Sequence, residues 1–273
     1  MSRITEIKSN LPFLLLLLSF LVGCEPKTDS LRNTVYHVTF TLQGVSDNSR
    51  NNSGFILKLN DTLPPLYLTA HHVASGYGKS RYYDWDKIRD RFRDGLIWSI
   101  HDNGLHFQLG KNLPIPNAKV SSLATGLDLA AFYLAPPELA SYLKPASSPA
   151  KDGDRVRLFA KLMQIDTVLH PGIVIYATDS LLVYQLFSQP NSLGGSSGSP
   201  VLNDRDEVVA NSFGGLPLSS VKQRQEVAKE YPFIRQFLDN TEMGKTYGIG
   251  VPVGLIRKSL IHAIRMNQKE PVP

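Results

Sequence analysis

With a single cysteine in 273 residues, no disulfide can form within the chain, so stability has to come from apolar burial and hydrogen bonding. Long apolar runs are also missing. The longest, residues 11–22, covers about a dozen positions, against the ~20 that a ~30 Å hydrocarbon layer requires of a helix. Strong charge of either sign is lacking. The net charge is +5, of which Arg3, Lys8 and Glu6 supply +1, leaving +4 from Cys24 onward. So mild a balance excludes a nucleic-acid-binding footprint and is what a solvated surface carries. His101, His106, His170 and His262 show no spacing with carboxylates or thiols that would build a zinc site, so no metal and no cofactor is expected. What is present is 42% hydrophobic residues with 20 glycines and 18 prolines and no low-complexity tract, enough for one large β domain or two small ones.

The apolar run at 11–22 follows Arg3 and Lys8 and reads as the hydrophobic part of a secretory signal, residues 1–23. It closes on Leu21-Val22-Gly23-Cys24, which resembles a bacterial lipobox, where the cysteine is diacylated and becomes the first residue of the mature protein. An ordinary cleaved signal ending in Cys is the other reading. Residues 24–34 are polar and read as a lipidated tether, which places the protein in the cell envelope, held to a bilayer through acylated Cys24.

From Val35 the apolar period becomes that of strands. Residues 35–42, 53–59 and 66–69 follow one another across Asn, Asp and Pro turns without helices between them, which argues for antiparallel β structure. Within 83–95, Trp85, Ile88 and Phe92 recur at helical spacing, predicting a short amphipathic helix. The Asn103-Gly104 pair between 96–100 and 105–109 signals a hairpin, and 129–134 is a nearly continuous apolar strand. Residues 136–154, rich in Pro, Ser and Ala with a short helical piece at 138–144, form the best linker. Strands resume at 155–161, 172–178, 181–187, 200–203 and 207–213, a helical excursion covers 222–238, and an amphipathic helix ends the chain at 253–268.

Gly194-Gly195-Ser196-Ser197-Gly198-Ser199-Pro200-Val201 is the segment most open to chemistry. Small residues let a backbone turn sharply and let a foreign carbonyl approach, although a plain Gly/Ser turn has the same composition. A serine there needs a base and an orienting group. Leu68-Thr69-Ala70-His71-His72-Val73 ends an apolar strand in two histidines, and Asp128 stands just before the strand Leu129-Ala130, where a carboxylate close to a core calls for a histidine N–H as partner.

These three segments, in the order His, Asp, Ser, resemble the trypsin/chymotrypsin-type serine proteases. Ser197-Gly198-Ser199-Pro200-Val201, then Glu207-Val208-Val209 and Ser212-Phe213-Gly214-Gly215, are similar to the bacterial glutamyl endopeptidase branch, and Ser53-Gly54-Phe55 to the strand preceding its histidine. The resemblance implies an all-β fold of two antiparallel six-stranded β-barrels with a C-terminal α-helix: an N-terminal barrel over 35–135, the linker at 136–154, and a C-terminal barrel over 155–252. It implies a serine endopeptidase acting on polypeptides, with His72 as general base, Asp128 as its orienter, Ser197 as nucleophile, and the amides of Gly195 and Ser197 as the oxyanion hole. His71 is the rival base. Asn191 and Ser192 would floor the specificity pocket, Ser212, Phe213 and Gly214 would form the strand that pairs with substrate, and Gly248 or Gly250 would line its far wall. Two departures stand out. Ser212 replaces the histidine of the glutamyl enzymes. Ser196 replaces the aspartate that in trypsins pairs with a newly cut N-terminus, so no activating cut is expected. A protease-like module that binds peptides without cleaving them is the alternative function, and the sequence leaves the oligomeric state open.

Overall fold

The computed structural model describes residue 31 and residues 33–42, 52–75, 92–101, 104–119, 127–135, 140–162, 168–190, 192–218, 220–230, 232–239 and 241–268. The chain divides into two units, Met1–Arg32 and Asn33–Pro273, and the fold below is that of the second. The signal segment 1–23, Cys24, most of the tether and Asn191 lie outside the described residues.

Twelve strands form two closed antiparallel barrels of six. The first holds β1 (Val35–Leu42), β2 (Asn52–Leu57), β3 (Leu66–Thr69), β4 (Phe92–Ser99), β5 (His106–Leu113) and β6 (Ala130–Ala135), in the order β1-β2-β3-β6-β5-β4. The second holds β7 (Arg155–Phe159), β8 (Leu169–Ala177), β9 (Leu182–Leu186), β10 (Pro200–Leu202), β11 (Val208–Leu216) and β12 (Thr246–Pro252), in the order β10-β11-β12-β9-β8-β7. Read from β7, that is the connectivity of the first barrel repeated. Closure gives each strand a partner on both sides, leaving open only the ends that overhang a shorter neighbour, and turns alternate side chains into a packed interior.

The interiors differ in kind. Rings fill the first, with Tyr36 on Phe107 at 5.8 Å, Phe40 on Phe132 at 5.2 Å and Phe92 on Phe132 at 5.1 Å between centroids. Aliphatic residues fill the second, among them Val156, Leu158, Val174, Leu182, Leu186, Val201 and Val209, with Tyr184 as the aromatic among them.

Two sequence expectations are corrected. Phe92 begins β4 instead of ending a helix, because its ring completes the Phe40–Phe132 cluster. The rest of the expected 83–95 helix, up to residue 91, lies outside the described residues. Residues 140–144 are extended, not helical. Leu143 exchanges backbone bonds with β2 (Leu143 N–H to Ile56 O, 2.8 Å; Lys58 N–H to Leu143 O, 3.0 Å), and Val208 of β11 bonds the next residues on both sides (Ala146 N–H to Val208 O, 2.9 Å; Val208 N–H to Lys144 O, 2.8 Å). The linker is therefore a strap hydrogen-bonded to both barrels, with Leu143 and Ala146 buried beneath it.

Among the described residues the helical segments are α1 (His71–Ala74), α2 (Val221–Glu230), α3 (Arg235–Leu238) after a 3-10 turn at Pro232–Ile234, and α4 (Val253–Asn267). The last starts directly from β12 at Pro252, whose fixed φ suits a helix entrance, and buries Val253, Ile256, Leu260, Ala263 and Ile264 along one face.

Candidate active site

The β3–β6 ladder pairs Thr69 with Ala130, so the end of one strand lies beside the start of the other. His72 follows Thr69 by three residues and Asp128 precedes Ala130 by two, and this register brings the two together. Asp128 takes two hydrogen bonds from the same residue: His72 N–H donates to Oδ1 at 2.9 Å, and the ring Nδ1 lies 2.9 Å from Oδ2. Asp128 is 1% exposed, and its carboxylate can only accept, so the ring carries its proton on Nδ1 and donates it as a hydrogen bond to Oδ2. That fixes the neutral tautomer with a lone pair on Nε2. His71, by contrast, is fully buried in α1, which removes its ring from contact with a substrate.

The Ser197 loop is held at the seam between the barrels. Ser53 N–H donates to Ser197 O (3.2 Å), Ser53 Oγ donates to Gly195 O (2.7 Å), and Thr69 Oγ1 donates to Ser53 O (2.7 Å). Asn211 Nδ2 of the second barrel donates to Thr69 O at 3.3 Å. The nucleophile loop thus hangs from the strand ends that lead to His72. Ser197 is half-buried, and its Oγ makes no hydrogen bond to His72 or to any other described residue. Such bonds are commonly long before substrate arrives.

The loop is two consecutive turns, Ser196 N–H to Leu193 O (3.0 Å) and Ser199 N–H to Ser196 O (2.9 Å), with Gly195 and Gly198 at φ of 93° and 88°. Only glycine adopts these values without strain. Among the described residues, nothing accepts from the amides of Gly195 or Ser197, so both donors are left for a ligand.

Of the expected substrate-binding residues, Ser212 also ties the strand to the Ser197 loop. Its N–H donates to Ser199 O (2.8 Å) and its carbonyl accepts from Gly198 N–H (2.7 Å), a carbonyl oxygen having two lone pairs with which to accept. The ladder to β10 ends at Asn211, and the strand edge left open begins at Phe213 and runs through Gly214 and Gly215. Gly250 faces Ser212 on β12, and Ser192 is exposed with its Oγ on Gly194 N–H.

Sequence reasoning did not foresee the seam roles of Ser53, Thr69 and Asn211, nor Tyr184, whose Oη lies 2.9 Å from Ser212 Oγ. A visible signal existed for each: a polar side chain inside or at the end of an otherwise apolar strand, which must find a partner.

Residues 52–210 match the family model of the trypsin-like peptidase domain. No curated protein sequence matches the chain. Among solved structures, the Rv3671c protease from M. tuberculosis in its active form is 12% identical, with TM-score 0.52, and 91% of this chain and 87% of that one are aligned. A serine-to-alanine mutant of Rv3671c in its inactive form is 14% identical, with TM-score 0.52 and coverage of 93% and 95%. At such identities the likeness is one of fold.

Proposed function

The chain belongs to the trypsin-like peptidase family, and from that membership we propose that it is a serine endopeptidase working through Ser197, His72 and Asp128. The observation that carries the assignment is the double grip of buried Asp128 on His72, which orients one imidazole face and leaves Nε2 as a base. In the first step Ser197 Oγ attacks the peptide carbonyl carbon while its proton passes to Nε2. The oxyanion that forms is received by the amides of Gly195 and Ser197, each such donor being worth roughly 100- to 1,000-fold in rate. Collapse expels the amine, which takes the proton from Nε2, and leaves an acyl-enzyme. Water then repeats the sequence and frees the acid. Substrate backbone pairs with the open edge at Phe213 and Gly214.

The assignment predicts that a fluorophosphonate labels the uncut chain, that labelling is lost in Ser197→Ala and His72→Ala, and that it survives in His71→Ala. Labelling that persisted in His72→Ala would overturn the choice of base. A wild type that fails to label would favour a peptide-binding module. Reactivity without a prior cut rests on Ser196, buried and without the charge that an inserted ammonium would need. Envelope attachment through diacylated Cys24 belongs to the same proposal, and incorporation of an alkyne fatty acid that is lost in Cys24→Ala tests it.

A further inference from the structure

We infer that Tyr184 closes the pocket for the side chain next to the cleaved bond, restricting the enzyme to substrates with glycine, alanine or serine at that position. The inference rests on the endopeptidase reading. By the resemblance stated above, Gly248 or Gly250 would line that pocket, and Ser212 stands opposite Gly250 on the adjoining strand. The structure fills this space from the neighbouring strand. Tyr184 of β9 pairs directly with Gly248 of β12, and side chains of such partners share one face of the sheet. Because Gly248 has no side chain, the tyrosine ring folds across it. A Cβ placed on Gly248 would stand 2.2 Å from Tyr184 Cζ and 2.3 Å from its Oη. Glycine here makes room for the phenol and opens no cleft for a ligand.

The ring is fixed at both ends. Its root lies in the aliphatic interior of the second barrel, and its hydroxyl bonds Ser212 Oγ at 2.9 Å. It is fully buried, and burial pushes the phenol well above its ordinary pKa, so it stays neutral across the working pH range. On the opposite wall, Leu193 leans on Gly215: a Cβ there would be 3.1 Å from Leu193 Cδ1. Both walls are thus covered by bulky side chains of the protein itself. A large substrate side chain would have to expel an aromatic ring from a packed core, an overpacking cost. A charged one would meet two hydroxyls already bonded to each other and no counter-ion among these residues.

Two peptide phosphonates that differ only in the side chain at the reacting residue, methyl or benzyl, read this out as inactivation rates at Ser197. Wild type should react at least ~10-fold faster with the methyl compound, since even one ill-fitting methylene is worth roughly 10- to 200-fold. Tyr184→Ala should shift the ratio at least ~10-fold toward benzyl, and Tyr184→Phe, which keeps the ring, should retain the methyl preference. Should Tyr184→Ala lose its near-UV circular dichroism, Leu193→Ala carries the same test, with a shift in the same direction. A wild type that takes benzyl as fast as methyl, or a folded Tyr184→Ala with an unchanged ratio, overturns the inference. A plain alkyl fluorophosphonate, which has no such side chain, separates the two levels. If it fails to react, the endopeptidase reading falls and this inference with it; if it reacts while the methyl preference is missing, only this inference falls.

Discussion

Gly198 and Gly153 share a backbone conformation, with φ of 88° and 90°, but sit in opposite surroundings, so alanine at each separates dihedral strain from steric collision. At Gly153 an added Cβ has nothing within 4 Å. Gly153→Ala therefore pays only for a left-handed alanine, about 1–2 kcal/mol. At Gly198 the Cβ would stand 2.0 Å from Ser53 O and 2.3 Å from Thr69 Oγ1. The first is main chain inside β2 and the second is bonded to it, so the loop has to retreat. Retreat breaks the bonds from Ser53 N–H to Ser197 O and from Ser53 Oγ to Gly195 O, each contributing about 0.5–1.5 kcal/mol. Added to the dihedral cost, the total is about 2–5 kcal/mol. For a domain of this size each kcal/mol moves Tm by about 2–4 °C, so Gly198→Ala should melt roughly 4–20 °C lower, and Gly153→Ala roughly 2–8 °C lower. Hydrolysis should divide the pair more sharply. A misplacement of ~1 Å at the nucleophile costs on the order of 100-fold in kcat, whereas Gly153 lies outside the site and leaves kcat unchanged. Scanning calorimetry with steady-state kinetics on both variants checks this. Equal melting points and equal kcat for the two would refute the seam argument.

Two further outcomes follow from the same structure. Asp128→Asn keeps the shape of the site but cannot hold the Nδ1 proton in the same way, so kcat should fall by about 10⁴ while KM changes little, because Asp128 does not touch substrate; an equal loss in KM would place Asp128 in binding. The second outcome is alkaline unfolding. Burial raises the phenols of Tyr36, Tyr67 and Tyr184 above their ordinary pKa, so the folded state keeps protons that the unfolded chain releases above pH ~10. Their contribution is complete below that pH and is lost as pH rises beyond it, by about 1.4 kcal/mol per pH unit for each phenol. Denaturant titrations between pH 9 and 11.5 should show the decline, and a flat stability profile would contradict it.

The triad candidates were legible because each stands at a break in a local pattern: two histidines after an apolar strand, an aspartate before one, a serine among glycines. What brings them together was not, because the Thr69–Ala130 register and the Ser53–Ser197 bond depend on pairings 61 and 144 residues apart in sequence. Phe92 was misassigned because three apolar residues at helical spacing also occur where a strand begins, and only the Phe40 and Phe132 rings decide the matter. Composition marked 136–154 as the linker but gave no sign of its pairing, because the burial of Leu143 and Ala146 and the bonds to both barrels depend on residues distant in sequence.

The seam at Ser53 also bears on the order in which the site is assembled. The His72–Asp128 pair is built wholly within the first barrel, which leaves the ribosome first, and can assemble while Ser197 is still unsynthesised. The Ser197 loop is anchored beside that pair only when Ser53 bonds Ser197 and Gly195, which requires both barrels finished and docked. On the proposed mechanism reactivity is then the last property the chain acquires, an order of assembly set by two hydrogen bonds from one serine.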